Sequence, residues 1–283
     1  VPAKRRIQRR VYHPSMLQKT IYGFYPFWVY NWGYTPSRWD LVSRLAYFSC
    51  EIDSLGNVIN RRGWCPVDLL DEAHSHNVPL DVVITLFDTD GSRIHYLLSD
   101  SLNRANLIDN IGQLLLDYGE GVNIDFELPT SGDSLYLVDF FRELKASCDP
   151  RYSISLDLPP VDWRDAFKLD SLASYVDFFF LMAYGYYGPY SSVTGPIAPF
   201  DDPTETYDVT NSVENTLAGL DGVGEQVILG QPLYGYQWEC DGSERGANTL
   251  AVGVPLFYYE AAESVGVYGR LWDELSSTPW YRY

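Results

Sequence analysis

Two short stretches limit the fold more than anything else in the chain. Val82-Val83-Ile84-Thr85-Leu86-Phe87 and Val176-Asp177-Phe178-Phe179-Phe180-Leu181 are almost continuously apolar. They are too short to span a bilayer, which takes roughly 18 to 20 apolar residues. They also lack the alternation of a strand with one wet face. Runs of this kind suit parallel strands covered on both faces by helices. They fall within the strand candidates Leu80–Asp88 and Tyr175–Tyr184, which Ile21–Trp28, Leu45–Asp53, Gly121–Leu128, Ser153–Leu158 and Glu225–Leu233 join.

Helical patterns separate the candidates. Pro66–Asn77 opens on a proline suited to a first helical turn and carries apolar Val67, Leu69, Leu70 and Ala73. Ser101–Tyr118 sets Leu107, Ile111, Leu114 and Leu115 on one face, and Ser134–Lys145 repeats the pattern with Leu137, Val138 and Phe141. Asn211–Leu220 is a weaker example. Repeated β–α alternation predicts an α/β fold, and so many units favour a (β/α)8 barrel over an open sheet. Gly185–Thr210, rich in Tyr, Pro and Gly, is expected to be a loop over the barrel mouth. Residues 239–283 are expected to form an insertion after strand seven, so that the chain stops before an eighth strand.

Charge divides the chain. Residues 1–20 hold Lys4, Arg5, Arg6, Arg9, Arg10 and Lys19 and no acid, which suggests a basic arm or linker ahead of a barrel over residues 21–283. The rest carries 14 basic and 38 acidic side chains, a net of −24. So acidic a body repels phosphates, which excludes nucleic acid as an expected partner. His74 and His76 are two apart and point to different helix faces, and no zinc-ligand spacing occurs, so no metal and no cofactor is expected. Cys50 and Cys65 are read either as a disulfide or as two separate buried thiols. The sequence opens at Val1 without a secretory leader, as a processed or trimmed start would.

The chemistry concentrates in Glu120-Gly121-Val122-Asn123-Ile124-Asp125-Phe126-Glu127. On a strand, Val122, Ile124 and Phe126 face one way and Asn123, Asp125 and Glu127 the other. In a barrel the polar set lines the lumen, with Glu127 nearest the C-terminal mouth where barrel active sites lie. Two neighbouring carboxylates in a partly dry lumen cannot both ionise cheaply, so one is available as an acid. The competing reading, an exposed antiparallel strand with a polar face, conflicts with the flanking βα units.

This segment resembles the fourth-strand motif DGxDxDxE of glycoside hydrolase family 18, the chitinase-like barrels. Tyr22-Gly23-Phe24-Tyr25-Pro26 and Leu45-Ala46-Tyr47-Phe48-Ser49 look like its first two strands. Leu181-Met182-Ala183-Tyr184 is similar to its MxYD motif, and Gly230-Gln231-Pro232-Leu233-Tyr234-Gly235 to its GxPxYG motif. The resemblance implies that Glu127 is the general acid/base, that Asp125 orients and stabilises the substrate's N-acetyl group, and that Tyr184 bonds that group. It further implies substrate contacts from Tyr25, Asn123, Met182, Gln231, Tyr234 and Trp238, although Met182 reads equally as core packing. The chain departs from the family in having Asn123 at the inner Asp position, Glu120 at the outer one and Gly185 where an Asp is usual.

The implied reaction is retaining hydrolysis of β-1,4 bonds in a polysaccharide or oligosaccharide containing N-acetylglucosamine, chitin or peptidoglycan in type. The substrate's acetamido oxygen, rather than a second enzyme carboxylate, attacks the anomeric carbon. The implied setting is extracellular or the cell envelope. Trp28, Trp32, Tyr34, Tyr186, Tyr187, Tyr190, Tyr234 and Trp238 fall at or beyond strand ends, where rings can pack on sugar faces, and Asp157 and Trp163 are further subsite candidates. The alternative is a non-catalytic, lectin-like relative, which Asn123, Gly185 and the missing strand favour and the presence of Glu127 opposes. Oligomeric state is left open.

Overall fold

The computed structural model describes residues 17–116, 119–220 and 224–283. The basic arm up to residue 16, with His13, lies outside the described residues, as do the last two positions of the expected helix Ser101–Tyr118. The described chain forms two compact units, one built from the residues up to Leu128 with Asp139–Ser155, the other from Pro129–Val138 with Leu156–Tyr283. Among the described residues, no helix is long and apolar enough to cross a membrane.

The first unit runs through β1 (Tyr22–Pro26), α1 (Phe27–Asn31), β2 (Arg44–Ile52), β3 (Val58–Asn60), α2 (Val67–Ser75), β4 (Leu80–Phe87), α3 (Ser92–Ser99), α4 (Ser101–Leu116) and β5 (Gly121–Glu127). It also takes most of α5 (Ser134–Ser147) and the first half of β6 (Ser153–Leu158). β1, β2, β4 and β5 lie side by side and parallel, with Tyr25 beside Tyr47, Tyr47 beside Val82 and Val82 beside Val122. The apolar run in β4 is buried from Leu80 to Leu86, as two-sided burial requires. Leu69, Leu70 and Ala73 of α2, Leu107, Ile111, Leu114 and Leu115 of α4, and Phe140, Phe141 and Leu144 of α5 are buried as well. Each buried Leu, Ile or Phe side chain contributes about 1.5–3 kcal/mol by leaving water. Arg104 of α4 locks onto α5 through Glu143, Nη2 to Oε1 at 2.8 Å.

Two readings from the sequence change here. The first strand stops at Pro26 and the chain turns into α1, and α3 was not expected at all. α3 follows Gly91, whose φ of 89° turns the chain into the helix in a conformation that favours glycine. The cysteines are free thiols, and Cys50 donates to the Arg61 carbonyl, so the separate-thiol reading describes the structure. Burial pushes the Cys50 thiol up to about 12.

The second unit holds the second half of β6, then α6 (Leu169–Leu172), β7 (Phe178–Leu181), α7 (Val209–Ala218) and β8 (Val227–Leu229). β7 and β8 are parallel, and both are shorter than the expected strands Tyr175–Tyr184 and Glu225–Leu233. Residues 182–208 form the long expected loop, which ends where the Asp208 carboxylate caps α7 by accepting from Asn211 N at 2.7 Å. After β8 come the antiparallel pair β9 (Tyr234–Gln237) and β10 (Val254–Phe257), α8 (Tyr258–Tyr268) and the hairpin β11 (Leu271–Asp273) with β12 (Thr278–Trp280), a segment that starts ahead of the expected insertion boundary at residue 239. Arg245 pins it to the loop, contacting Asp202, Glu205 and Asp273, with Nε to Asp273 Oδ2 at 2.6 Å. Among the described residues, no strand after β8 joins the parallel set.

Candidate active site

β5 delivers the period-two pattern. Phe126 turns toward α5, its ring 5.9 Å from that of Phe140, so Asn123, Asp125 and Glu127 point to the opposite face. There they sit beside Val83, Thr85 and Phe87 of β4. Asn123 and Asp125 are buried, whereas Glu127, at the strand's C-terminal end, keeps contact with solvent. Partial burial nonetheless raises the Glu127 pKa above the ordinary glutamate range. Asn123 Nδ2 donates to Ser155 Oγ at 3.1 Å, and Thr85 and Ser49 share a hydroxyl hydrogen bond of 3.0 Å. Ser49, Thr85 and Ser155 were not singled out from the sequence, although strand parity could have found the last two.

A buried ion pair lies below this layer. The fully buried Asp81 side chain accepts from Arg44 Nε and Nη2, both at 2.6 Å, and from Tyr22 Oη at 2.9 Å. Burial, and then the charge of Asp81, raise the Tyr22 pKa well above its usual value. Gly121 is required here, since a Cβ would stand 2.0 Å from Ser153 Oγ and 2.5 Å from Asp81 Oδ1. Glu120 belongs to the same end of β5. It accepts from Leu80 N at 2.8 Å and pairs with His74 Nε2 at 3.0 Å, which makes it a clamp between α2, β4 and β5.

Tyr25 does not join the polar set. It lies in register with Tyr47 on the helix-facing side, and its hydroxyl donates to the Tyr34 carbonyl. Tyr22 and Phe24 take the site-facing positions of β1, with ring centroids 5.3 Å apart. Trp28 meets Phe48 at 6.1 Å, and Phe48 meets Phe87 at 6.4 Å, so an aromatic row ends on the residue in register with Glu127. Trp32 and Tyr34 are exposed.

The second unit arranges its own candidates in a row. Tyr184 contacts Tyr234 at 6.2 Å, Tyr234 contacts Tyr236 at 5.9 Å, and Tyr236 contacts Trp238 at 5.8 Å. Gly230 leaves room for this, since a Cβ would meet Leu181 O at 2.8 Å and Tyr184 Cε1 at 3.1 Å. Met182 is half-buried and Gln231 exposed. Gly185 has φ of +81°, so an Asp there would be strained. Tyr186 and Tyr187 are tied into the loop through Ser212 and Glu205, while Tyr190 is exposed. Asp157 is buried, and Trp163 stacks edge-on with Tyr207.

A family model described as Glycosyl hydrolases family 18 matches residues 70–283. The cortical fragment-lytic enzyme of Bacillus subtilis (strain 168) is 27% identical over 225 residues, which cover 74% of this chain and 49% of that protein. The chain spans less than half the length of the curated relatives it matches. A Group IV chitinase of Ostrinia furnacalis superposes with a TM-score of 0.81 at 18% identity, over 94% of this chain and 84% of its own. A Cycas revoluta chitinase crystallised with (GlcNAc)3 gives 0.79 at 19% identity, over 93% and 84%. At such identities the likeness shows the fold, which is the α/β barrel class of the chitinases.

Proposed function

Since the chain belongs to glycosyl hydrolases family 18, we propose that it hydrolyses β-1,4 bonds in glycans containing N-acetylglucosamine, with Glu127 as acid/base. The observation that carries this reading is the β5 face, where Asn123 and Asp125 are buried and Glu127, with a raised pKa, meets solvent at the strand end. A carboxyl group that holds its proton above the ordinary range suits protonation of a leaving oxygen.

The proposed sequence of steps is substrate-assisted. Glu127 gives its proton to the glycosidic oxygen as the bond to the anomeric carbon breaks. The substrate's acetamido oxygen forms a new bond to that carbon from the opposite face. Asp125 balances the positive charge of the resulting oxazolinium ring. Ionised Glu127 then takes a proton from water, whose oxygen opens the ring, so the anomeric configuration is retained. Asn123 orients Asp125 without adding a charge. The aromatic row of the second unit is proposed to bind sugar faces. Polymers of this kind lie outside the cell membrane, where the chain would work.

The test is cleavage of the N-acetylglucosamine tetramer against its fully de-N-acetylated counterpart. Cleavage of the first alone supports the mechanism, and equal cleavage of both refutes substrate assistance. Asn123 and Gly185 favour a second reading, a sugar-binding relative without activity. Tetramer binding without cleavage by the native chain would establish it.

A further inference from the structure

We propose that Gly253 is a positioning residue for the sugar-binding row of the second unit. It holds the Trp238 indole so that the ring meets substrate with its face and not with its N–H edge. The inference rests on the proposed function, which gives Tyr184, Tyr234, Tyr236 and Trp238 to sugar binding.

Trp238 follows Gln237, the last residue of β9, and Gly253 precedes Val254, the first of β10. Gln237 and Val254 are in register, so the antiparallel ladder carried one step further sets Trp238 opposite Gly253. A Cβ on Gly253 would stand 2.4 Å from Trp238 Nε1, 2.7 Å from Cδ1 and 3.0 Å from Cε2. The N–H edge of the indole therefore lies against the glycine backbone. A ring laid across a strand glycine covers backbone that has no side chain of its own. The glycine is also held from behind. Its N–H donates to Pro189 O at 2.8 Å, and Leu250 N donates to Glu239 O at 2.8 Å across the connecting loop. A Cβ added at Gly253 must displace the indole.

Trp238 Nε1 is buried in this contact and has no acceptor among the described residues. A buried donor without a partner works against folding, and proteins carry such conflicts chiefly at working sites. Turned inward, this N–H is out of reach of a sugar hydroxyl. The residue as a whole is half-buried, and its ring lies 5.8 Å from that of Tyr236. What it offers substrate is apolar ring surface, which suits the C–H face of a sugar. Gly253 is itself buried, so its influence on substrate passes through the indole.

The experiment titrates the N-acetylglucosamine tetramer onto the native chain, Gly253→Ala, Trp238→Ala, Trp238→Phe and the double variant Gly253→Ala/Trp238→Ala, and measures kcat and KM on the same set. Gly253→Ala should raise tetramer Kd and KM about three- to tenfold and leave kcat within about twofold of native. With Ala at 238 the new Cβ has room, so the same substitution should then change Kd by less than about 1.5-fold. Trp238→Phe, which keeps a ring face and has no N–H, should bind more tightly than Trp238→Ala. Urea unfolding keeps the test decisive if Gly253→Ala folds poorly, since the added Cβ should cost less stability in the Trp238→Ala background than in the native one. Native Kd in Gly253→Ala, or an equal effect of that substitution with and without the indole, would overturn the positioning role. Trp238→Phe as weak as Trp238→Ala would overturn the assignment of the ring face. In either case a native chain that cuts the tetramer leaves the proposed function standing. A native chain that neither binds nor cuts the tetramer would overturn both.

Discussion

Replacing Arg44 with Met tests the polar layer beneath Asn123. The Asp81 side chain is fully buried and receives two 2.6 Å hydrogen bonds from the guanidinium, whose Nη2 also donates to Glu120 O at 3.0 Å. Removing one partner of a buried ion pair costs about 3–5 kcal/mol, because the remaining charge is left uncompensated. The lost bond to Glu120 adds about 1 kcal/mol. Tyr22 still donates to Asp81, and the Arg44 side chain is 18% exposed, so water can reach the gap. Both favour the lower end, and the expected loss is about 3–4 kcal/mol. Urea unfolding of the native chain, Arg44→Met, Asp81→Asn and the double variant measures it. The double variant should lose less than the sum of the single losses, by about 1.5 kcal/mol or more, because it strands no charge. A loss below about 1 kcal/mol for Arg44→Met, or strict additivity, would refute the reasoning.

The raised Glu127 pKa carries two pH effects. The alkaline limb of kcat/KM, where the acid loses its proton, should lie above about 4.3, the ordinary glutamate value, in a pH profile on the tetramer. Folded Glu127 holds its proton more tightly than unfolded Glu127, so its contribution to stability falls as pH rises from the unfolded pKa through the folded one. Glu127→Gln should therefore unfold at a slightly higher urea concentration than the native chain at pH 7, and not at pH 3. Arg245→Ala leaves the fully buried Asp202 side chain without its guanidinium. With the arginine about one-third exposed, the expected loss is about 2–3 kcal/mol, and heat-induced exposure of residues 239–283 to protease should begin earlier.

Much of this architecture is legible from residue types. The two-sided apolar runs identify β4 and β7, and alternation alone sends Asn123, Asp125 and Glu127 to one face of β5. Parity fails where both faces of a strand are aromatic. Phe24 and Tyr25 are interchangeable in the sequence, and only the contacts of Tyr22 with Asp81 and of Tyr25 with Tyr34 assign them to opposite sides. The Arg44–Asp81 pair escaped notice because its members are 37 residues apart and a buried charge leaves no periodic mark. Helix α3 was missed because its eight residues, Ser92–Ser99, follow Asp88-Thr89-Asp90-Gly91, which reads as an extended loop. Gly185 likewise has a positive φ, a conformation in which an Asp side chain would be strained.

The most direct measurement is kcat for the N-acetylglucosamine tetramer with native chain and Glu127→Gln, alongside tetramer affinity. If Glu127 is the acid/base, kcat falls by about 10²–10⁴ while affinity stays near native. Equal kcat for the two proteins would contradict the account.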